Sequence, residues 1–254
     1  MARAARAAEG LAELGLGAGD GLAILLRNDI AFFEASFAAA LLSAYATPVN
    51  WNDTAPEAAY VIRDCGAKAL VVHADLWRKL QAGGIEAGLE GIDISVIVAP
   101  TPPEIAAAFG LEPEICEVAE DDLDWDRWIE RAAQPEPRTP QPVNSMIYTS
   151  GTTGKPKGVR RNPPSEAQSA ALIGMAAYAF DTKPEMRTVI CGPMYHSAPN
   201  AYGLLGARAG AKICLQPRFD AEALLAQIER DKITHIHLVP TMFVRLLKLP
   251  DEVR

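Results

Sequence analysis

The run LAILL, Leu22–Leu26, is apolar at every position. A strand with one wet face would alternate, so a short unbroken run marks a strand covered on both faces. Comparable short runs recur at ATPVN (46–50), AKALVV (67–72), ISVIVA (94–99), TVICG (188–192), AKICL (211–215) and THIHLVP (234–240). Helical signals lie between them. Asn28 or Asp29 is placed to cap a helix running to about Ala44. Pro56 opens another that stops at Gly66, and LWRKL (76–80) reads as helix. Ser165 caps a helix to about Ala179, Asp220 opens AEALLAQIERD, and TMFVRLLKL starts one more. Short buried strands alternating with helices specify an α/β fold, with mostly parallel sheets flanked by helices.

Other stretches set the organisation. Near the start, Leu11, Leu14 and Leu16 share one face of a helix, with Glu9 and Glu13 off it. GLGAGDG then stops that helix, because glycine supplies left-handed turn geometry. The acidic EDDLDWDRWIERA (120–132) reads as a surface helix with Trp125, Trp128 and Ile129 turned inward. PEPRTPQP (135–142) has four prolines in eight residues and continues neither regular element. The expected division is a first α/β subdomain over 1–134 and a Pro-rich linker over 135–143. A glycine-rich loop and following helix over 144–185 would pack on the first subdomain, and a second α/β subdomain begins over 186–254.

Composition removes some function classes. A net charge of −8 and a pI near 5.1 argue against a general nucleic-acid or anionic-membrane binder, which would present a basic face. No apolar run is long enough for a signal peptide, and Phe32–Val49 is interrupted by Glu34 and ends beside Pro48. The expectation is a cytoplasmic protein with no transmembrane segment. Cys65, Cys116, Cys191 and Cys214 form no Cys-x-x-Cys pair, so they read as reduced, mostly buried thiols. His235 and His237 alternate on a strand without carboxylate or cysteine neighbours at ligand spacing, and read as structural.

The densest chemistry lies in SMIYTSGTTGKPKGVRRNPP (145–164). A strand precedes it, and glycine-rich loops after strands are where α/β proteins hold phosphates. Gly151 and Gly154 let backbone N–H groups approach a ligand. Thr149, Ser150, Thr152 and Thr153 offer hydroxyls, and Lys155 and Lys157 offer charge. Charge-assisted hydrogen bonds to phosphate are roughly twice as strong as neutral ones. A polar surface turn uses the same residue types, but not at this density of donors. A Walker loop does not fit: Pro156 follows Lys155, Gly151 is too close to Gly154, and KPKGVRR reads as a turn into an extended segment. GLGAGDG is not a dinucleotide fingerprint either, since its glycines follow a helix and precede a strand.

YTSGTTGKPKGV resembles the phosphate-binding signature of the adenylate-forming enzymes: acyl-CoA synthetases, luciferases and peptide-synthetase adenylation domains. GPMYHSAPN (192–200) resembles their Pro-x-aromatic-His segment. GLGAGDGLAILLRNDIAFFEASFAAALLSAYATPVNWN and ITHIHLVPTMFVRLLKLP resemble flanking parts of the same family, so the likeness covers nearly the whole chain. PMYHSAP is closer to the acyl-CoA branch than to the peptide-synthetase branch.

The resemblance implies the large N-terminal domain of an adenylate-forming enzyme, incomplete at its C-terminal side. The family's Tyr-Gly-x-Thr-Glu segment, its ribose-binding Asp and its mobile C-terminal domain are not found, so an N-terminal portion of a larger ligase, inactive alone, is expected. GVRRNPP also departs from the usual GV-x-x-(Ser/Thr)-His. The implied reaction joins a carboxylate to AMP from ATP, then passes the acyl group to coenzyme A. Thr149, Ser150, Gly151, Thr152, Thr153, Gly154, Lys155 and Lys157 would hold the phosphates, with Thr149 also touching Mg2+. His196 would act near the carboxylate, and Tyr195, His196 and Asn200 would line the substrate cavity. The partners implied are small molecules: ATP, a fatty or other hydrophobic acid, and coenzyme A. A ligase loading an acyl carrier protein and a noncatalytic nucleotide-binding module remain alternatives.

Overall fold

We describe the protein from a computed structural model covering residues 1–139, 144–149, 156–160 and 165–253. The chain divides by compactness into two units, Met1–Pro163 and Pro164–Arg254.

In the first unit the elements are α1 (Ala2–Glu13), β1 (Gly21–Leu25), α2 (Ile30–Leu41), β2 (Tyr45–Pro48), α3 (Ala55–Asp64), β3 (Ala67–His73), α4 (Ala74–Ala82) and α5 (Ile85–Leu89). They continue with β4 (Ser95–Ala99), α6 (Pro103–Phe109), α7 (Pro113–Cys116), β5 (Leu123–Asp124), α8 (Trp125–Arg131), β6 (Asn144–Ser145), β7 (Tyr148–Thr149) and β8 (Lys157–Gly158). Six strands form one parallel sheet in the order β5-β4-β3-β1-β2-β6. The unbroken apolar run lies at its centre: β1 is buried at every residue, and so is β3 apart from Lys68.

Local signals set the helix starts. Asp29 is extended and its carboxylate accepts the Ile30 N–H at 2.6 Å, capping α2. That helix stops at Leu41, before Ala44, because Ser43 turns into the left-handed region with φ 56°. Thr54 and Glu57 form a reciprocal capping box at the start of α3, with Pro56 in its first turn. Beyond the ends of β1 and β3, the buried Arg27 guanidinium makes two 2.7 Å bonds to Asp75. Thr101 Oγ1 donates to Asp75 at 2.7 Å, and Arg27 stacks over Phe109 at 4.4 Å. Burial pushes the Asp75 carboxyl up, but the bonds and charge of Arg27, with Thr101, outweigh it and hold the group below its ordinary value.

Glu9, off the leucine face, is nonetheless buried, because the Pro-rich stretch folds over it. Arg138 donates to its carboxylate at 3.1 and 2.9 Å, and the Glu136 N–H adds a third bond. Two expectations require correction. The acidic helix begins only at Trp125; Leu123 and Asp124 instead pair with β4 as an edge strand. Trp125 and Ile129 are buried as expected, while half-buried Trp128 lies so close to Gly10 that a Cβ there would meet its ring at 2.5 Å. NSMIYT is not one strand. Asn144–Ser145 pairs with β2, whereas Tyr148–Thr149 leaves that sheet and pairs antiparallel with β8.

The second unit runs α9 (Glu166–Phe180), β9 (Arg187–Ile190), α10 (Ser197–Arg208), β10 (Lys212–Leu215), α11 (Ala221–Asp231), β11 (His235–Ile236) and α12 (Pro240–Leu247). Its parallel sheet has the order β10-β9-β11. Val189, Cys191, Phe219, Ala221 and Leu224 form the core, with Ile228, Ile236 and Met242 packed on it. THIHLVP contributes only His235 and Ile236 to the sheet. By compactness α9 belongs to the second unit. There Phe180 meets Tyr202 edge-on at 5.8 Å, and Asp181 bonds His235 at 3.1 Å.

Candidate functional site

The two ends of the glycine-rich loop are built as a hairpin in the first unit. Thr149 stands opposite Lys157, and Tyr148 opposite Gly158. The extended return after Lys155 is therefore present, and no helix follows the loop directly. Both Thr149 and Lys157 are exposed. Ser150, Gly151, Thr152, Thr153, Gly154 and Lys155 lie outside the described residues.

Several contacts fix this hairpin. The Met146 N–H donates to Ala46 O at 2.9 Å, continuing the run beside β2. Tyr148 donates its hydroxyl to Asp64 at 2.5 Å. Burial, and then the Asp64 bond, push the Tyr148 phenol far above its usual range, so it stays a donor at every ordinary pH. Gly158 is required by close approach: a Cβ there would sit 2.5 Å from Met146 Cε and 2.7 Å from the Tyr148 ring. Tyr60 donates to the Pro156 carbonyl at 3.1 Å. Arg160 donates to Gly19 O and stacks over Tyr45 at 4.6 Å. Gly19 itself has φ 81°, the turn geometry expected after the first helix.

The histidine segment is a local construction in the second unit. The chain leaves β9 and turns at Pro193–His196, where the His196 N–H donates to Pro193 O at 3.0 Å. His196 is the N-cap residue of α10 but makes no side-chain cap. Its exposed ring has one side packed on Tyr195, at 4.2 Å between centroids. Partial desolvation holds the imidazole below its ordinary pKa, favouring the neutral form. Asn200 is buried, and its amide donates to Met194 O at 3.1 Å, bracing the turn that presents His196.

The two other histidines of this unit have partners of their own. His235 meets Thr234 Oγ1 at 2.7 Å and Asp181 at 3.1 Å. His237 packs against Tyr202 at 5.6 Å, and the Tyr202 hydroxyl meets Thr188 at 3.1 Å. The folded chain thus brings Thr149 and Lys157 together in one unit, and Tyr195, His196 and Asn200 together in the other.

Sequence reasoning missed the residues that hold the hairpin: Tyr60, Asp64, Tyr148 and Arg160. The one available signal was Tyr60 and Asp64 at i, i+4 spacing on a helix whose Ala58, Ala59 and Ile62 are buried.

A threonine and a lysine stand at opposite positions of the hairpin, and the sequence between them is rich in glycine and further hydroxyls, a donor chemistry suited to polyphosphate. Among the described residues no helix is long and apolar enough to cross a membrane, and no three His, Cys, Asp or Glu side chains cluster as a metal site.

The chain is 27% identical over 251 residues to a long-chain-fatty-acid–CoA ligase, FadD13, of Mycobacterium tuberculosis, covering 98% of this chain and 45% of that protein. It is 32% identical over 256 residues to 4-coumarate–CoA ligase 2 of Oryza sativa subsp. japonica, covering 96% and 43%. In fold it is similar to O-succinylbenzoate coenzyme A synthetase (MenE) of Bacillus subtilis, solved in complex with ATP and magnesium ion. The TM-score is 0.69 at 23% identity, covering 98% of this chain and 46% of that one. The chain thus spans less than half the length of these three proteins. The family model for AMP-binding enzymes matches residues 1–253, and the chain belongs to that family.

Proposed function

We propose that the protein carrying this chain is an ATP-dependent acid–CoA ligase. It would activate a fatty or other hydrophobic carboxylic acid as acyl-AMP and pass the acyl group to coenzyme A. The observation that carries the reading is the hairpin register that sets Thr149 opposite Lys157 at the mouth of a hydroxyl- and glycine-rich loop, in a member of the AMP-binding family. The names of the relatives as fatty-acid and coumarate CoA ligases support the choice of acid and thiol.

In this reading Thr149, Ser150, Gly151, Thr152, Thr153, Gly154, Lys155 and Lys157 grip the β- and γ-phosphates as pyrophosphate leaves. The step needs little covalent help from the protein, so orientation and charge neutralisation dominate it. Mg2+ would supply further neutralisation. Thr149 is the contact for it on the hairpin, a hydroxyl oxygen suiting this hard cation, whose other ligands are typically phosphate oxygens and water. His196, neutral and exposed, offers a hydrogen bond near the carboxylate, with Tyr195 fixing its ring plane. Asn200 serves by holding the turn.

The test is pyrophosphate release by the whole protein with ATP, Mg2+ and a panel of carboxylic acids, followed by thiol-acceptor assays. Release that depends on a hydrophobic acid, with thioester formed on coenzyme A, is expected. Thioester formed only on an acyl carrier protein would move the assignment to a carrier-loading ligase. ATP binding without any acid-dependent release would make the protein a nucleotide-binding module.

A further inference from the structure

Tyr60 and Asp64 lie one turn apart on α3 and so share a face of that helix. Asp64 receives the hydroxyl of Tyr148 from the limb entering the loop. Tyr60 gives its own hydroxyl to the carbonyl of Pro156, beside the limb leaving it. One helix face therefore holds both limbs of the hairpin, on either side of the glycine-rich residues. We propose that Tyr60 and Asp64 are positioning residues for the two limbs of the hairpin, setting the spacing of Thr149 and Lys157 for a nucleotide's polyphosphate; this rests on the nucleotide reading above.

The helix is suited to that work. Its first turn is locked by the Thr54–Glu57 capping box, and Ala58, Ala59, Val61 and Ile62 anchor it in the core. Its back is set closely against α5, since a Cβ on Gly88 would fall 2.6 Å from Ala59 Cβ. Limbs tied to a rigid helix lose less freedom when Thr149 and Lys157 engage an anion, so less of the binding energy is spent on holding them in place. Displacement by about 1 Å is enough to cost on the order of 100-fold in a positioned reaction. The Tyr148–Asp64 bond is short and its donor stays protonated, so it holds across ordinary pH.

The experiment uses the whole protein and measures ATP affinity by titration, together with KM for ATP, KM for the acid, and Tm. Tyr60→Phe and Asp64→Ala should each weaken ATP binding about tenfold and raise KM for ATP by a similar factor. KM for the acid should stay unmoved. Asp64→Asn keeps an oxygen acceptor for Tyr148 and should recover most of the affinity, which a bare loss of packing would not allow. Tyr148→Phe combined with Asp64→Ala should be no worse than either alone. If Tyr60→Phe and Asp64→Ala fold and bind ATP like the parent, the positioning role is overturned while the ligase reading stands. Parent protein that binds ATP tightly but releases no pyrophosphate with any acid, with both variants binding tenfold more weakly, would end the ligase reading and uphold the positioning role. A parent that binds no ATP overturns both.

Discussion

The hairpin and the histidine turn present chemistry in opposite ways. Residues far away in the chain hold the hairpin: Asp64 for Tyr148, Tyr60 for Pro156, Gly19 for Arg160. The turn before α10 is held by its own neighbours, through Pro193 O, Met194 O and the first helical bond from Asn200 N–H to His196 O. A segment held by long-range bonds inherits the stability of the unit around it. One held largely by bonds between near neighbours depends more on those adjacent residues.

The largest effect should come from Asp75→Ala. It would leave the Arg27 charge buried without its carboxylate, at a cost of about 3–5 kcal/mol. Hydrogen exchange should then accelerate at the Met146 and Val159 amides far more than at His196 and Asn200. Equal acceleration in both places would show that the hairpin and the turn are not held differently. Because Asp75 titrates below its ordinary value in the fold, its stabilisation is present above the unfolded pKa near 3.8 and is lost as pH falls through the lower folded value. Acid should therefore loosen the hairpin before the turn.

Asn200→Ala is the complementary cut. Losing the buried amide that donates to Met194 O should cost about 0.5–1.5 kcal/mol and loosen the His196 turn. Fast exchange at the hairpin amides in this variant would show that the turn is not self-contained. Gly158→Ala forces the Tyr148 ring or Met146 aside, for about 1–3 kcal/mol, and should raise exchange at Val159 with the β1–β3 core unmoved.

The smallest effect sharpens the picture near the start of α3. Burial, and then Glu57, push the Asp53 carboxyl up to about 6, above its ordinary 3.8. A group raised in this way stabilises the fold below the unfolded pKa, and that contribution is lost as pH rises through the folded one. Asp53→Asn should thus raise Tm above pH 6 and leave it unchanged below about pH 4. A flat difference across that range would remove Asp53 as the cause.

Burial patterns differ between the units too. β1 and β3 are closed over almost completely, whereas α12 has no buried residue and Tyr178 on α9 is 92% exposed. In both units the α/β alternation was legible, because an unbroken apolar run carries its own demand for cover on two faces. Caps at Asp29, Ser165 and Asp220 were legible for the same local reason: each satisfies helix N–H groups a few residues away. The candidate site was legible as residue types along a loop and beside a histidine, since those donors are adjacent in sequence. What held them was not. The burial of Glu9 was hidden because nothing local reveals Arg138 arriving over it, and NSMIYT looked continuous because its break is made by two different partner strands.

The amino-acid order alone settled the alternation of strands and helices, the helix caps at Asp29, Ser165 and Asp220, and the inventory of candidate phosphate donors. These depend on side-chain pattern and hydrogen bonds spanning a few residues. Tertiary structure decided which strands pair, where the acidic helix begins, and which helix face grips the hairpin. Those outcomes depend on groups brought together from distant positions, and their energies exist only once the chain has closed.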